Sequence, residues 1–214
     1  EQDPVQRAVI LRQYRGYAAL AESYSAITTP FLAITHGVSA VGKSHVAVRL
    51  VEALGAIRLR SDIERKRLFG EQSSATRNQL AAGIYSTDAS QATYQRLHQL
   101  AREVLHAGFP VVIDATYLKA VQRQAASEIA EDTGTPFLII DCHAPDAVIA
   151  GWLEQRQNEG KDPSDATLEV IRSQQANREP LDADDLAHSK RVDTHESASL
   201  DSLVERIRQR LPGL

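Results

Sequence analysis

Methionine is missing from all 214 residues, so Glu1 is not a translation start. A processed product or a piece of a longer chain is expected. Cysteine is almost as scarce. Cys142 alone excludes an internal disulfide and suits a reducing compartment, which gives a cytoplasmic expectation. No apolar run approaches the ~18 residues that cross a bilayer, and no signal-peptide pattern opens the chain, so no membrane partner is expected. Positive charge is not in excess either, with 24 Lys and Arg against 28 Asp and Glu and a net charge of -4. That balance argues against a nucleic-acid partner gripped by bulk charge and leaves any phosphate chemistry to local groups. What is present, 43% hydrophobic and 24% charged residues, is the composition of a globular chain with a full core.

Residues 3–25 carry Val5, Val9, Tyr14, Tyr17, Ala21 and Tyr24 at roughly helical spacing, which predicts an amphipathic helix broken by Thr28-Thr29-Pro30. The tyrosines are expected to pack in the core of this chain, and packing on an upstream domain is the alternative. After residue 29, short apolar runs alternate with helical patterns. Strands are predicted at Phe31–His36, Ala56–Arg60, Pro110–Asp114, Pro136–Cys142 and Lys190–Thr194. Between and after them come helices at Lys43–Leu54 and Ser61–Phe69, one capped by Ser90 and ended by Gly108, one at Leu118–Asp132, and one from Pro145-Asp146. Two more start at Asp162-Pro163 and Leu200. This order implies an α/β fold with a doubly wound, five-stranded parallel sheet covered on both faces. The organisation is a helix over 1–29 and one domain over 30–214. Asp182-Ala-Asp-Asp185 reads as a solvated loop, His98 and His106 as surface or cap residues, and Cys142 as core.

One motif carries chemistry. Gly37-Val38-Ser39-Ala40-Val41-Gly42-Lys43-Ser44 matches G-x-x-x-x-G-K-[ST] at every fixed position, between a predicted strand and a helix that continues through His45. Its glycines let backbone N–H groups converge on phosphates, and the helix adds its positive dipole end. Lys43 is expected to reach the β and γ phosphates and Ser44 to ligate Mg²⁺, so ATP and Mg²⁺ are the expected cofactors. Asp114, ending the third predicted strand, is the candidate for a second acidic group near the metal. Ala115 follows it where a motor-type ATPase places a glutamate to activate water, so transfer to a bound hydroxyl is favoured over hydrolysis. Asp62, at the end of the second predicted strand, is then the candidate base, because neighbouring strand ends share one crevice with the loop. Arg65, one helical turn on, would hold an anionic part of the acceptor. The bland alternative makes Asp62 a helix cap and Arg65-Lys66-Arg67 a solvated face.

His36-Gly-Val-Ser-x-x-Gly-Lys-Ser44, Leu59-Arg-Ser-Asp62-x-Glu-Arg-Lys-Arg-Leu-Phe-Gly70, Ala107-Gly108 leading to Asp114-Ala-Thr116, and Asp162-Pro-Ser-Asp-Ala166 resemble a family of predicted P-loop kinases. These are often fused behind an aminoglycoside-phosphotransferase-like domain, so the resemblance implies a covalently linked domain before Glu1. More distantly the chain is similar to polynucleotide kinase, zeta toxins and chloramphenicol phosphotransferase. The resemblance implies a nucleoside-monophosphate-kinase-like fold, Asp62 as catalytic base, acceptor contacts at Asp62, Arg65 and Thr116, and a helical lid at about 156–165. It also implies that Arg156 closes over the phosphates and that Arg123 touches substrate or γ-phosphate. Trp152 departs from the second lid arginine of many relatives, and Ala40-Val41 departs from their frequent Gly-Ser. The expected function is an ATP- and Mg²⁺-dependent kinase acting on a hydroxyl of a small molecule. The rivals are a 5′-hydroxyl nucleic-acid or nucleotide-sugar kinase and a nucleotide-binding regulatory module with little turnover.

Overall fold

A computed structural model describes residues 3–25, 29–69, 87–159 and 168–211. The chain begins with α1 (Pro4–Ser25) and then winds β1 (Leu32–His36), α2 (Lys43–Leu54), β2 (Ile57–Arg60) and α3 (Ser61–Phe69). It continues through α4 (Thr87–His106), β3 (Val111–Asp114), α5 (Ala120–Thr133), β4 (Phe137–His143) and α6 (Asp146–Glu159). The last elements are α7 (Leu168–Asn177), α8 (Ala183–His188), β5 (Ser189–Asp193) and α9 (Ser197–Arg210).

All five strands are parallel and stand in the order β2-β3-β1-β4-β5. Their apolar side chains alternate between two cores, as the period of a strand requires. Ala33, Val112, Leu138, Ile140 and Val192 face α2, α6, α7 and α9, which contribute Val46, Leu50, Ile149, Leu153, Ile171, Leu203 and Ile207. Leu32, Ile34, Val111, Ile113 and Ile139 face α4 and α5, which contribute Leu97, Ala101, Ala126 and Ile129. Covering a parallel sheet on both faces buries its backbone and leaves only the strand ends open to chemistry. β1 sits between β3 and β4, so its carboxyl end is the point where the winding reverses and a crevice opens.

Several expectations are corrected. α1 does not enter either core, and Tyr14 and Tyr17 are 69% and 74% exposed. Among the described residues, both cores are built from the sheet and the helices that follow β1, with no residue of α1 in either. Ser90 lies inside α4, which starts at Thr87, and α5 starts two residues later than Leu118 because Lys119 holds its N-cap position. The acidic run is not a plain loop. Asp182 caps α8 by accepting the Asp185 N–H at 2.9 Å. The lid expected at 156–165 ends α6 at Glu159, and its remaining residues, with the helix start at Asp162-Pro163, lie outside the described residues.

Candidate active site

The loop after β1 is shaped by left-handed backbone at three positions: Gly37 at φ 137°, Ala40 at 63° and Gly42 at 91°. Gly42 also needs its missing side chain, because a Cβ there would lie 2.8 Å from both Cβ and Oγ1 of Thr194. Thr194 follows β5, and its hydroxyl lies 2.6 Å from the Val41 carbonyl and 3.0 Å from that of His143, bracing the loop against β4. Thr35 in β1 accepts the Ala115 N–H at 3.1 Å, and the Gly37 N–H donates to Thr116 O at 3.1 Å. The loop after β1 and the loop after β3 are therefore one hydrogen-bonded unit.

Lys43 is buried and donates from Nζ to the Val38 carbonyl at 2.6 Å. Ser44 Oγ donates to Asp114 Oδ2 at 2.8 Å. The same carboxylate oxygen accepts from Arg58 Nε at 3.0 Å and forms an ion pair with that guanidinium. The structure fits a phosphate and a hard cation here. The N-terminus of α2 carries the dipole end that favours a phosphate, and a hydroxyl and a carboxylate oxygen, both hard donors, stand together beside it. Among the described residues no cluster of three or more His, Cys, Asp or Glu side chains is arranged to hold a metal. Ser44 and Asp114 are the described side chains here that could contribute to holding a cation.

A cleft of about 630 Å³ joins this loop to the carboxyl ends of β3 and β2. Ser39, Ala40 and Gly42 line it from the loop, Lys43 and Ser44 from the start of α2, Asp114 from β3, Thr116 from the loop after it, and Arg60, Asp62 and Arg65 from β2 and α3. Gly37, Val38 and Val41 are buried and do not line the cleft, and neither does His45, which is exposed with its amide on Gly42 O at 3.0 Å. Arg60 grips Asp62 with a two-pronged ion pair, Nε to Oδ1 at 3.1 Å and Nη2 to Oδ2 at 2.5 Å. Burial pushes the Asp62 carboxyl up, but the Arg60 guanidinium and the Ile63 N–H outweigh it and hold the group below the usual carboxylate range.

Thr116 is held by Tyr94, the two hydroxyls lying 3.2 Å apart, and the same Tyr94 oxygen accepts the Tyr117 N–H at 3.1 Å. Tyr117 has a left-handed backbone, φ 47°, and is fully buried edge-on against Tyr94, its hydroxyl 3.2 Å from His98 Nε2. His98 is therefore a core residue and not the surface or cap residue expected. Burial, with the Arg102 guanidinium nearby, pushes its imidazole down to about 4. The neutral ring accepts from Tyr117, whose own hydroxyl is held protonated by burial.

Arg123 is not brought into the cleft. It is 1% exposed and donates to Asp185 at 2.8 Å and to the carbonyls of Tyr117 and Pro180 at 3.2 and 2.9 Å. These bonds tie the 179–185 segment to α5 and direct the guanidinium into the fold, which corrects the expectation that it touches substrate. The side chain of Arg156 lies outside the described residues.

Sequence reasoning missed Thr35, Arg58, Thr194 and Gln174, which accepts the Ser39 N–H at 2.7 Å. Their partners are far along the chain, and no local pattern marks them.

A family model described as an AAA domain matches residues 32–181. Uncharacterized proteins of Mycobacterium tuberculosis and Mycobacterium bovis are 29% identical over 174 residues, covering 78% of this chain and 31% of theirs. The chain thus spans about a third of the length of these relatives. In fold it is similar to a putative kinase from Chloroflexus aurantiacus, with a TM-score of 0.65 and 18% identity over 87% of this chain and 98% of that one. The Mycobacterium tuberculosis APS kinase solved with AMPPNP and APS is similar at a TM-score of 0.58 and 19% identity, over 85% and 97% of the two chains. With its glycine-rich loop, parallel sheet and kinase-like neighbours, the chain belongs to the AAA_33 family of AAA domains and has a P-loop kinase-like fold.

Proposed function

We propose that the protein is an ATP- and Mg²⁺-dependent phosphotransferase that moves the terminal phosphoryl group to a hydroxyl of a small-molecule acceptor. One observation carries this reading: Lys43, Ser44, Asp114, Asp62 and Arg65 line a single cleft of about 630 Å³. That volume suits a nucleotide's phosphates together with a small acceptor. Kinase names among the fold neighbours support the coarser part, phosphoryl transfer.

In this reading Lys43 neutralises charge on the β and γ phosphates, and Arg156 has the same task from the lid. Ser44 and Asp114 would hold Mg²⁺, Asp114 through water; when bound, the ion supplies charge neutralisation on the phosphate oxygens. Asp62 accepts the proton of the acceptor hydroxyl as its oxygen bonds to the γ-phosphorus and the bond to ADP breaks. The depressed affinity of Asp62 for protons keeps it ionised at neutral pH, and a loose transition state asks it more for orientation than for basicity. Arg65 holds an anionic part of the acceptor, and Thr116 positions it.

ATP-dependent phosphorylation across a panel of hydroxyl compounds tests the proposal. Asp62→Asn is expected to lower transfer by about 10² to 10⁴-fold with ATP affinity kept within about twofold. Full activity in that variant would remove Asp62 from the role. The Arg60 fork on Asp62 favours a second reading, a nucleotide-binding module with little turnover. ATP binding by the wild type without transfer to any acceptor selects it.

A further inference from the structure

The peptide unit between Val38 and Ser39 is gripped from both sides. Its carbonyl takes the Lys43 ammonium at 2.6 Å, and its N–H is taken by the Gln174 side chain at 2.7 Å. Gln174 belongs to α7, and α7 is fixed independently of this contact, because Ile171 is buried in the core beneath the sheet face. Glu169, Val170, Ser173, Gln174 and Asn177 recur at helical spacing and form the face of α7 that lines the cleft.

The donor at Ser39 settles the orientation of the carboxamide. A backbone N–H is bonded only by an acceptor, so Oε1 is on the loop and Nε2 carries two hydrogens beside it. Among the described residues no protein acceptor meets those hydrogens, on a residue that lines the cleft. Two donors open to the cleft suit an anionic oxygen. The anion's place follows from Lys43. An ammonium at this point of a P-loop serves the β and γ phosphates, and here it stands on the same peptide unit that Gln174 holds.

We propose that Gln174 is a ligand of the terminal phosphoryl group, its oxygen fixed by Ser39 and its NH₂ donating to a γ-phosphate oxygen. α7 thereby reads whether the nucleotide is a triphosphate or a diphosphate. The inference rests on the nucleotide-binding part of the proposed function and goes beyond it in assigning a residue of α7 to the terminal phosphoryl group.

The test is the affinity of the full chain for AMPPNP and for ADP, each with Mg²⁺, by titration calorimetry, with thermal melting as a check on folding. Gln174→Ala removes both contacts. Gln174→Glu keeps an acceptor for the Ser39 N–H but replaces the donor with negative charge. A charge-assisted hydrogen bond supports a loss of about tenfold or more in AMPPNP affinity for either variant, larger for Gln174→Glu, with ADP affinity within about twofold. Equal losses for the two nucleotides, or recovery of AMPPNP affinity in Gln174→Glu, would mean that Gln174 only braces the loop, and the inference falls. Wild-type protein that binds neither nucleotide overturns both this inference and the function proposed above. A selective loss of AMPPNP binding without phosphorylation of any acceptor upholds Gln174 and overturns the kinase.

Discussion

The loop after β1 and the segment after β2 line the same cleft, and different forces hold them. Residues 37–44 are set mainly by left-handed backbone and by close approach, Gly42 on Thr194 and the Val41 carbonyl on its hydroxyl, with the Lys43 ammonium turned onto a carbonyl of the same loop. Residues 58–67 are set by charge: Arg58 on Asp114, Arg60 on Asp62, and Glu64 between Arg67 and Arg96. Backbone and packing give one rigid shape, whereas partly exposed ion pairs are individually weak and exchange partners cheaply. In the proposed function, a cradle for a phosphate chain would benefit from the first kind of support, and a pocket that admits and releases an acceptor from the second.

Gly42→Ala attacks the rigid side and carries the largest expected effect. Left-handed strain at φ 91° and overlap with Thr194 together cost about 3 kcal/mol, read as a fall of about 6–12 °C in melting temperature. Adding Thr194→Gly should make the pair less than additive by about 1–2 kcal/mol. Simple additivity would show that packing on Thr194 does not shape the loop.

Acid separates the regions next. The His98 imidazole sits at about 4 in the fold against 6.5 ordinarily, so the unfolded chain takes up the proton first. The contribution of neutral His98 is whole above about pH 6.5 and is lost as pH falls toward 4, by about 3 kcal/mol at most. His98→Gln, which can still accept from Tyr117, should flatten denaturant midpoints across that window. The Asp62 pair fails only at lower pH, because its folded carboxyl lies below the unfolded value and keeps its charge until that point is passed. Loss of both in one window would contradict these assignments.

Arg58→Gln should cost about 1–3 kcal/mol by chemical denaturation, since it leaves Asp114, only 6% exposed, with a charge and one remaining hydroxyl donor. Because the pair is shielded from solvent, raising salt to about 0.5 M should change that cost by no more than a few tenths of a kcal/mol, whereas the exposed side of the Glu64–Arg67 pair is screened. Ala40→Gly is the smallest. Relief of a left-handed alanine at φ 63° less the entropy of glycine predicts about 0.5–1 kcal/mol of added stability. A loss instead would mean that the methyl group of Ala40, which is buried, packs better than its backbone suffers.

Much of this architecture was legible from residues close together in the chain. The five strands were marked by apolar runs bounded by turn residues, and Gly37 to Ser44 by a motif whose every fixed position has a mechanical reason. Asp62, Arg65, Asp114 and Thr116 were read from their places at strand ends and from a family likeness, and the fold does bring them to one cleft. Helix starts were less legible. Ser90 is a good cap by type, yet α4 runs past it, because caps compete with packing and packing decides. The buried state of His98 was hidden because its partner Tyr117 comes from a loop across the helix.

By itself the sequence determined the elements, the parallel α/β class and the phosphate loop, because these depend on backbone preferences and periodicity within a few residues. The tertiary structure alone decided the order β2-β3-β1-β4-β5, the outward position of α1 and the inward turn of Arg123 onto Asp185. It also decided which groups brace the loop, Thr194 and Gln174, since each lies more than a hundred residues from its partner. Contacts at that separation are fixed by how two cores close on one sheet, a property of the whole chain that no local pattern carries.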